Sequence, residues 1–326
     1  MTDWTPADMP RLDEKTVVVT GANSGLGFEG TREFARKGAT VVMACRSVGR
    51  GESAARELRE TTPAHLDLDV RECDLASLAS VREFAEGLMT DYDAVDILCN
   101  NAGVMAIPRS ETEDGFETQF GVNHLGHFAL TGRLYPLLTA STGIDGDGEA
   151  RVVTQSSGAH ETGEMDFEDL NWEESYGKWK AYGRSKLANL LFAYELQRRV
   201  EATARDDSAA ASRPQIRSVA CHPGYSDTNL QIRTGEESGN PLMKAGMRVA
   251  NAVLGQDAAT GAEPMLYAAT ADVSGGAYVE PGGFMNMRGH PVVGRSNDAS
   301  YDRADAKTLW KYSTEATGVT FPFDDR

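Results

Sequence analysis

A β-branched run at 16–20 (Thr-Val-Val-Val-Thr) is followed by a segment with helical periodicity, and this pair repeats along most of the chain. Short apolar runs at 40–44, 65–70, 95–99, 151–155, 216–221 and 277–279 read as strands. Segments at about 25–37, 48–60, 76–91, 115–139, 179–203 and 257–270 read as helices. Parallel strands need crossovers of a dozen residues or more, and a right-handed helical crossover supplies them. The expected class is therefore α/β, a doubly wound parallel sheet covered by helices on both faces. The polar stretches 141–149 and 202–213 read as surface loops, because the rhythm resumes after each. One domain is expected, less regular from about 225 onward.

The first strand runs directly into TGANSGLG at 20–27. In a doubly wound sheet, the first strand-to-helix turn is where a dinucleotide pyrophosphate rests on a helix N-terminus. Gly21 would allow the tight exit from the strand. Gly25 and Gly27 would leave room where cofactor and helix approach. The spacing is GxxxGxG, and a bare glycine turn is the alternative reading. Cofactor choice is read after the second strand, where an acid would favour a free ribose hydroxyl and an arginine a 2′-phosphate. Arg46 stands there, with Arg50 a turn further on. The cofactor expected is NADP(H), against the alternative that Arg46 is one more solvated arginine.

Tyr182 and Lys186, in AYGRSKLAN, are four residues apart on a helical segment and project from one face. An ammonium beside a phenol stabilises the phenolate and lowers its pKa, which suits proton transfer to or from a substrate oxygen. YxxxK alone also fits a packing tyrosine with a solvated lysine. Its position after a strand ending in Ser156-Ser157 favours the catalytic reading.

Composition narrows the partners. A net charge of −17 argues against nucleic acid or an anionic membrane. With 8 lysines against 24 arginines, the acidic surface suits concentrated salt, an ordinary acidic protein of a GC-rich genome being the alternative. The start, MTDWTPADMPRLDEK, is polar, so no signal peptide or membrane anchor is expected, and the location expected is cytoplasmic. Cys45, Cys73, Cys99 and Cys221 lack CxxC spacing and read as buried free thiols. His124 and His127 are three apart, but no acid or cysteine completes a metal set, and none is expected.

Taken in order, TGANSGLG (20–27), CDL (73–75), NNAG (100–103), NHLGHF (123–128), SSGAH (156–160), YGRSK (182–186) and HPGYSDT (222–228) make the chain similar to the short-chain dehydrogenase/reductases over roughly residues 14–280. ACR, NHLGHF, SSxAH and SKLAN resemble the retinol-dehydrogenase-like branch. The resemblance implies a single Rossmann domain, with a substrate lid at about 225–255 and a C-terminal extension at 281–326.

It also implies roles, position by position. Tyr182 would be the proton donor or acceptor, and Lys186 would bind the nicotinamide ribose and lower the Tyr182 pKa. Ser157, at the branch's position within SSxAH, would hydrogen-bond the substrate oxygen in preference to Ser156. Asn123 would hold a water of the proton relay. Gly21, Ser24, Gly25, Leu26 and Gly27 would line the pyrophosphate, and Asp74 with Leu75 would meet the adenine. Asn101, Ala102 and Gly103 would run along the adenosine side, and Thr228 would meet the cofactor near the nicotinamide. Two alternatives stay open: Asn101 as a sheet-stabilising side chain, and Asp74 as a cap for the following helix.

Branch members acting on retinoids commonly carry an N-terminal membrane segment, which the polar start here does not resemble. The stretch 161–180 holds Phe167, Trp172, Tyr176 and Trp179 among acids. It reads either as an aromatic wall for an apolar substrate or as a long loop packed onto the body. The expected activity is hydride transfer between NADP(H) and a small, fairly apolar carbonyl or alcohol compound. The alternatives are a non-catalytic NADP-binding regulator and a reductase for a larger polycyclic substrate. The family often forms dimers or tetramers, so a homodimer or homotetramer is compatible with the resemblance.

Overall fold

The computed structural model describes residues 3–144, 149–206, 215–224, 257–283 and 286–324. Among these, eight strands form one sheet in the order β3-β2-β1-β4-β5-β6-β7-β8. They are β1 Thr16–Thr20, β2 Thr40–Cys45, β3 Asp67–Glu72, β4 Ile97–Asn100, β5 Glu149–Gln155, β6 Gln215–Cys221, β7 Tyr278–Pro281 and β8 Pro291–Gly294. All neighbours pair in parallel except β7 and β8, which are antiparallel. Strand order reverses on either side of β1, which places a crevice at the C-terminal ends of β1 and β4.

The helices are α1 Gly25–Arg36, α2 Val48–Thr61, α3 Leu78–Asp91, the short α4 Thr118–Phe120, α5 Gly126–Thr139, α6 Lys178–Asp206, α7 Ala258–Thr270 and α8 Arg303–Thr317. Side chains alternate across β1 and so feed two cores. Val17 and Val19 join Phe34, Leu58 and Met265 from α1, α2 and α7. Val18 joins Leu88, Phe128, Phe192 and Trp310 from α3, α5, α6 and α8. Each such side chain contributes about 1.5–3 kcal/mol by leaving water. The doubly wound α/β class holds, with one antiparallel edge strand added.

Three local differences have physical reasons. The strand expected at 65–70 lies at Asp67–Glu72, because its register is set by pairing with β2 from Thr40 to Cys45. The helix expected at 115–139 begins at Thr118, where the buried Glu117 carboxylate accepts from the Gln119 and Phe120 amides. It then widens into a π turn at Gly121–Leu125 before continuing as α5. The segment beyond 281 adds β8 to the sheet, and α8 packs Trp310 onto Phe128 and Phe192 with ring centroids 5.1 and 5.8 Å away.

The four cysteines are buried and free. No helix among the described residues is long and apolar enough to cross a membrane.

Candidate active site

β1 ends at Thr20, and Gly21 turns the chain with φ 68°, a left-handed conformation that glycine adopts without strain. A Cβ there would lie 3.2 Å from the Ala102 Cα. At Gly27 an added Cβ would collide with the Gly21 carbonyl oxygen and come within 2.6 Å of Asn101 Nδ2. This glycine is thus required by the turn's own packing, where the sequence suggested approach of a ligand. Gly25 and Leu26 open α1, and Ser24 occupies the N-cap position without a side-chain cap. The first-turn amides therefore carry no side-chain acceptor, and an anion has partners waiting there.

Arg46 and Arg50 are exposed just past β2, and neither pairs with a described side chain. The uncapped terminus of α1 and the unpaired guanidinium past β2 are groups that could hold the phosphates of a dinucleotide cofactor.

The loops after β3 and β4 complete this half. Asp74 Oδ1 accepts from the Ala76 amide at 3.0 Å, and the N-cap of α3 is Ser77, which accepts from Ser80. Asp74 thus closes the turn before α3 rather than capping the helix itself. Leu75 is buried under Gly126, whose added Cβ would lie 2.6 Å from the Leu75 carbonyl oxygen. Asn101 Nδ2 donates to the Thr20 carbonyl at 2.8 Å, so the side chain ties β4 to β1. The Asn101 and Ala102 amides both donate to Thr20 Oγ1 at 2.9 Å. A Cβ on Gly103 would lie 3.0 Å from Asn123 Oδ1 and 3.4 Å from Lys186 Nζ. Gly103 is where the two halves of the site meet.

Ser157, Tyr182, Lys186 and Asn123 come together at the ends of β4 and β5. Ser156 Oγ donates to the Lys186 carbonyl at 2.9 Å, whereas the Ser157 hydroxyl is within hydrogen-bonding reach of the Tyr182 phenol. Burial pushes Tyr182 above the ordinary phenol range, and the Ser157 hydroxyl draws it back down. The lowering expected from Lys186 is not among these influences. Its ammonium donates to the Gln155 carbonyl at 3.2 Å and lies 5.7 Å from the Tyr182 ring centroid. Burial in turn pushes Lys186 down to about 8.

Asn123 sits in the π turn, and its side chain is fully engaged. Oδ1 accepts from the Val104 amide at 2.8 Å, while Nδ2 donates to the Val104 carbonyl and to Ser185 Oγ at 3.0 and 2.9 Å. Ser185 Oγ then donates to the Tyr182 carbonyl at 2.8 Å. Sequence reasoning assigned no role to Ser185; its only signal is its place between Tyr182 and Lys186.

Thr228 and the expected lid at 225–255 lie outside the described residues.

Most of the aromatic stretch packs onto the body. Phe167 packs against the cluster around Leu187 and Leu191. Trp172 lies under the Arg184 guanidinium at 4.0 Å. The Tyr176 hydroxyl donates to the Ile107 carbonyl at 2.9 Å. Trp179 differs: it is 52% exposed, and its ring stands edge-on to Tyr182 at 6.4 Å.

The sequence profile of the short chain dehydrogenases matches residues 15–239. Retinol dehydrogenase 13 of Homo sapiens is 45% identical over 222 residues, and retinol dehydrogenase 14 of Mus musculus 47% identical over 225. These matches cover 68% and 66% of this chain, and the chain spans 62% of the length of each relative. An uncharacterized protein from Mycobacterium Paratuberculosis is 42% identical with a TM-score of 0.78, over 98% of this chain and 100% of that one. A short chain dehydrogenase from Shigella flexneri 2a str. 301, crystallised with NADP, shares the fold at 21% identity. Its TM-score is 0.58, with 81% of this chain and 95% of that one covered.

Proposed function

Because the chain belongs to the short-chain dehydrogenase family, we propose that it is an oxidoreductase moving a hydride between NADP(H) and the carbonyl or alcohol group of a small, fairly apolar molecule. The observation that carries this reading is the buried Tyr182 phenol facing the half-buried Ser157 hydroxyl, with the buried Lys186 ammonium 5.7 Å from its ring. When bound, the nicotinamide supplies or accepts the hydride.

In the reducing direction, Tyr182 Oη gives its proton to the substrate oxygen as that oxygen gains electrons, and Ser157 Oγ donates a hydrogen bond to the same atom. The tyrosine is protonated at neutral pH, as a proton donor must be, because burial holds its pKa up. Lys186, pushed down to about 8, lies near the balance between charged and neutral forms at working pH and is suited to restoring that proton. Asn123 and Ser185 hold the loop after Gly103 against the helix that carries both groups.

NADP(H) is favoured over NAD(H) by the unpaired Arg46 at the end of β2. An apolar substrate is favoured by the exposed Trp179 ring beside Tyr182, and by relatives whose names assign them retinol.

The test is turnover of a panel of aldehydes, ketones and alcohols with NADPH and NADP, by wild type and Tyr182→Phe. The variant keeps the ring and loses the proton, so rates should fall about 10²–10⁴-fold while NADPH affinity stays near that of wild type. Near-normal turnover by the variant on every accepted substrate would overturn the assignment.

A further inference from the structure

His127 is buried on α5 and has no place in the chemistry described above, yet both of its ring nitrogens are spoken for. Nδ1 lies 3.0 Å from the Asn123 carbonyl oxygen, and Nε2 lies 2.9 Å from Thr20 Oγ1. A carbonyl only accepts, so Nδ1 carries the hydrogen. Burial pushes the ring down to about 4, so it is neutral at working pH and Nε2 is a bare acceptor. The Thr20 hydroxyl has two acceptors, Nε2 at 2.9 Å and the Cys99 carbonyl at 3.2 Å, and donates to the nearer, Nε2. That leaves its oxygen to accept the Asn101 and Ala102 amides, and the hydroxyl is satisfied on all sides.

These bonds form a closed circuit. Thr20 donates to His127, His127 donates to the Asn123 carbonyl, and the Asn123 side chain grips both backbone groups of Val104. Two residues earlier in the loop after β4, the Ala102 amide returns to Thr20. Gly21, at the cofactor turn, follows Thr20 directly, and Gly103, beside Lys186 Nζ, lies inside the circuit. The Asn123 carbonyl is presented by a π turn, where backbone pairing departs from the α pattern and a side-chain donor can reach it.

We propose that His127 is a positioning residue, coupling the cofactor turn at the end of β1 to the widened turn that carries Asn123 and, through it, to the helix bearing Tyr182 and Lys186. The imidazole fixes the distance between the two halves of the site, so that cofactor and proton donor are held in one geometry. It touches neither substrate nor cofactor. The effect is one of orientation, where a small displacement of the reacting groups slows the reaction more than one missing hydrogen bond would suggest.

This inference rests on the proposed reaction, but one of its readouts does not. NADPH dissociation constants and turnover at saturating NADPH are measured for wild type, His127→Leu, His127→Asn, Thr20→Val and the double variant Thr20→Val/His127→Leu, at a temperature where each is folded by circular dichroism. His127→Leu and Thr20→Val should each lose roughly tenfold in turnover and weaken NADPH binding severalfold. The double variant should lose little more than either single one, because both break the same circuit. His127→Asn, which retains a donor for the Asn123 carbonyl, should regain part of the turnover but not the cofactor affinity.

Variants with lower melting temperatures but wild-type dissociation constants and turnover would make His127 a plain core residue and overturn the proposal. Fully additive losses would do the same. If His127→Leu does not fold, Thr20→Val, which removes one hydroxyl, decides alone. A wild type that binds NADPH but turns over no carbonyl or alcohol would defeat the proposed reaction instead, and the binding data would still judge the circuit.

Discussion

Around Gly21 and Gly27 the chain packs backbone against backbone: the nearest neighbours of an added Cβ are the Ala102 Cα at one and the Gly21 carbonyl at the other. Around Trp310 the neighbours are large and aromatic, with Phe128, Phe321 and Phe323 at 5.1, 4.8 and 5.8 Å between ring centroids. The first region has no large side chain at its close contacts but fixes atoms that the proposed cofactor would meet. The second buries much surface, and aromatic rings tolerate several relative orientations. Backbone geometry at the candidate site and bulk stability are thus carried by separate parts of one sheet. Substitutions should therefore separate them too.

The largest expected effect falls in the aromatic region. Trp310→Ala removes a ring that also lies 4.5 Å from the Arg199 guanidinium and whose Nε1 donates to Asp324 at 2.9 Å. A buried Trp→Ala change costs about 3–5 kcal/mol of stability. Denaturant unfolding should show that loss, while the NADPH dissociation constant stays within about twofold of wild type at a temperature where both are folded. A parallel loss of cofactor affinity would mean that α8 holds the cofactor turn after all.

The two regions also differ in how they could be read from residues alone. TGANSGLG is legible because glycine spacing reflects a backbone requirement, and Tyr182 and Lys186 because their spacing and setting are chemical. α8 escaped because its buried face runs Ala306, Leu309, Trp310, Ser313 and Thr317, and two of those five are hydroxyl residues. β8 is four residues long, and two of its valines face solvent, Val292 at 41% and Val293 at 54%. Neither pattern resembles a core segment. The π turn leaves no mark in periodicity, since one extra residue only shifts the helical phase. The roles of Thr20, His127 and Ser185 depend on which polar group faces which, and pairing across 107 or 62 residues is not written in local spacing.

A smaller effect sharpens the ligand side. Arg46 is exposed and unpaired among the described residues, so Arg46→Asp should leave unfolding of the cofactor-free protein almost unchanged. Removing a charge-assisted hydrogen bond to phosphate costs about 1.5–3 kcal/mol, so NADPH affinity should fall roughly tenfold or more while NADH affinity holds or rises. Dissociation constants for both cofactors, with wild type and variant, check it. Equal affinities in the wild type would remove the reason for assigning NADP(H).

The smallest change at neutral pH comes from His124, one of two histidines three residues apart that each face one region. His127 meets Thr20. His124 instead meets α8: its Nε2 lies 2.8 Å from Ser313 Oγ, which itself donates to the Leu309 carbonyl. Nε2 therefore carries the hydrogen, and Nδ1 is buried without a partner among the surrounding phenylalanines. A proton added there would be an unpaired charge in an apolar pocket, which is why burial pushes His124 down to about 3. The unfolded chain takes up that proton below about pH 6.5 and the folded chain does not. Stability is thus retained above about pH 6.5 and is lost as the pH falls from there toward 3. His124→Phe removes this site and suits its aromatic neighbours. At neutral pH it should cost about 1 kcal/mol for the absent Ser313 bond. Between pH 6 and 4 it should flatten the stability profile by up to about 1.4 kcal/mol per pH unit. NADPH affinity should not change, in contrast to the His127 variants. An unaltered slope would mean that His124 already takes up its proton in the folded state, and that the aromatic region admits water where it is drawn as dry.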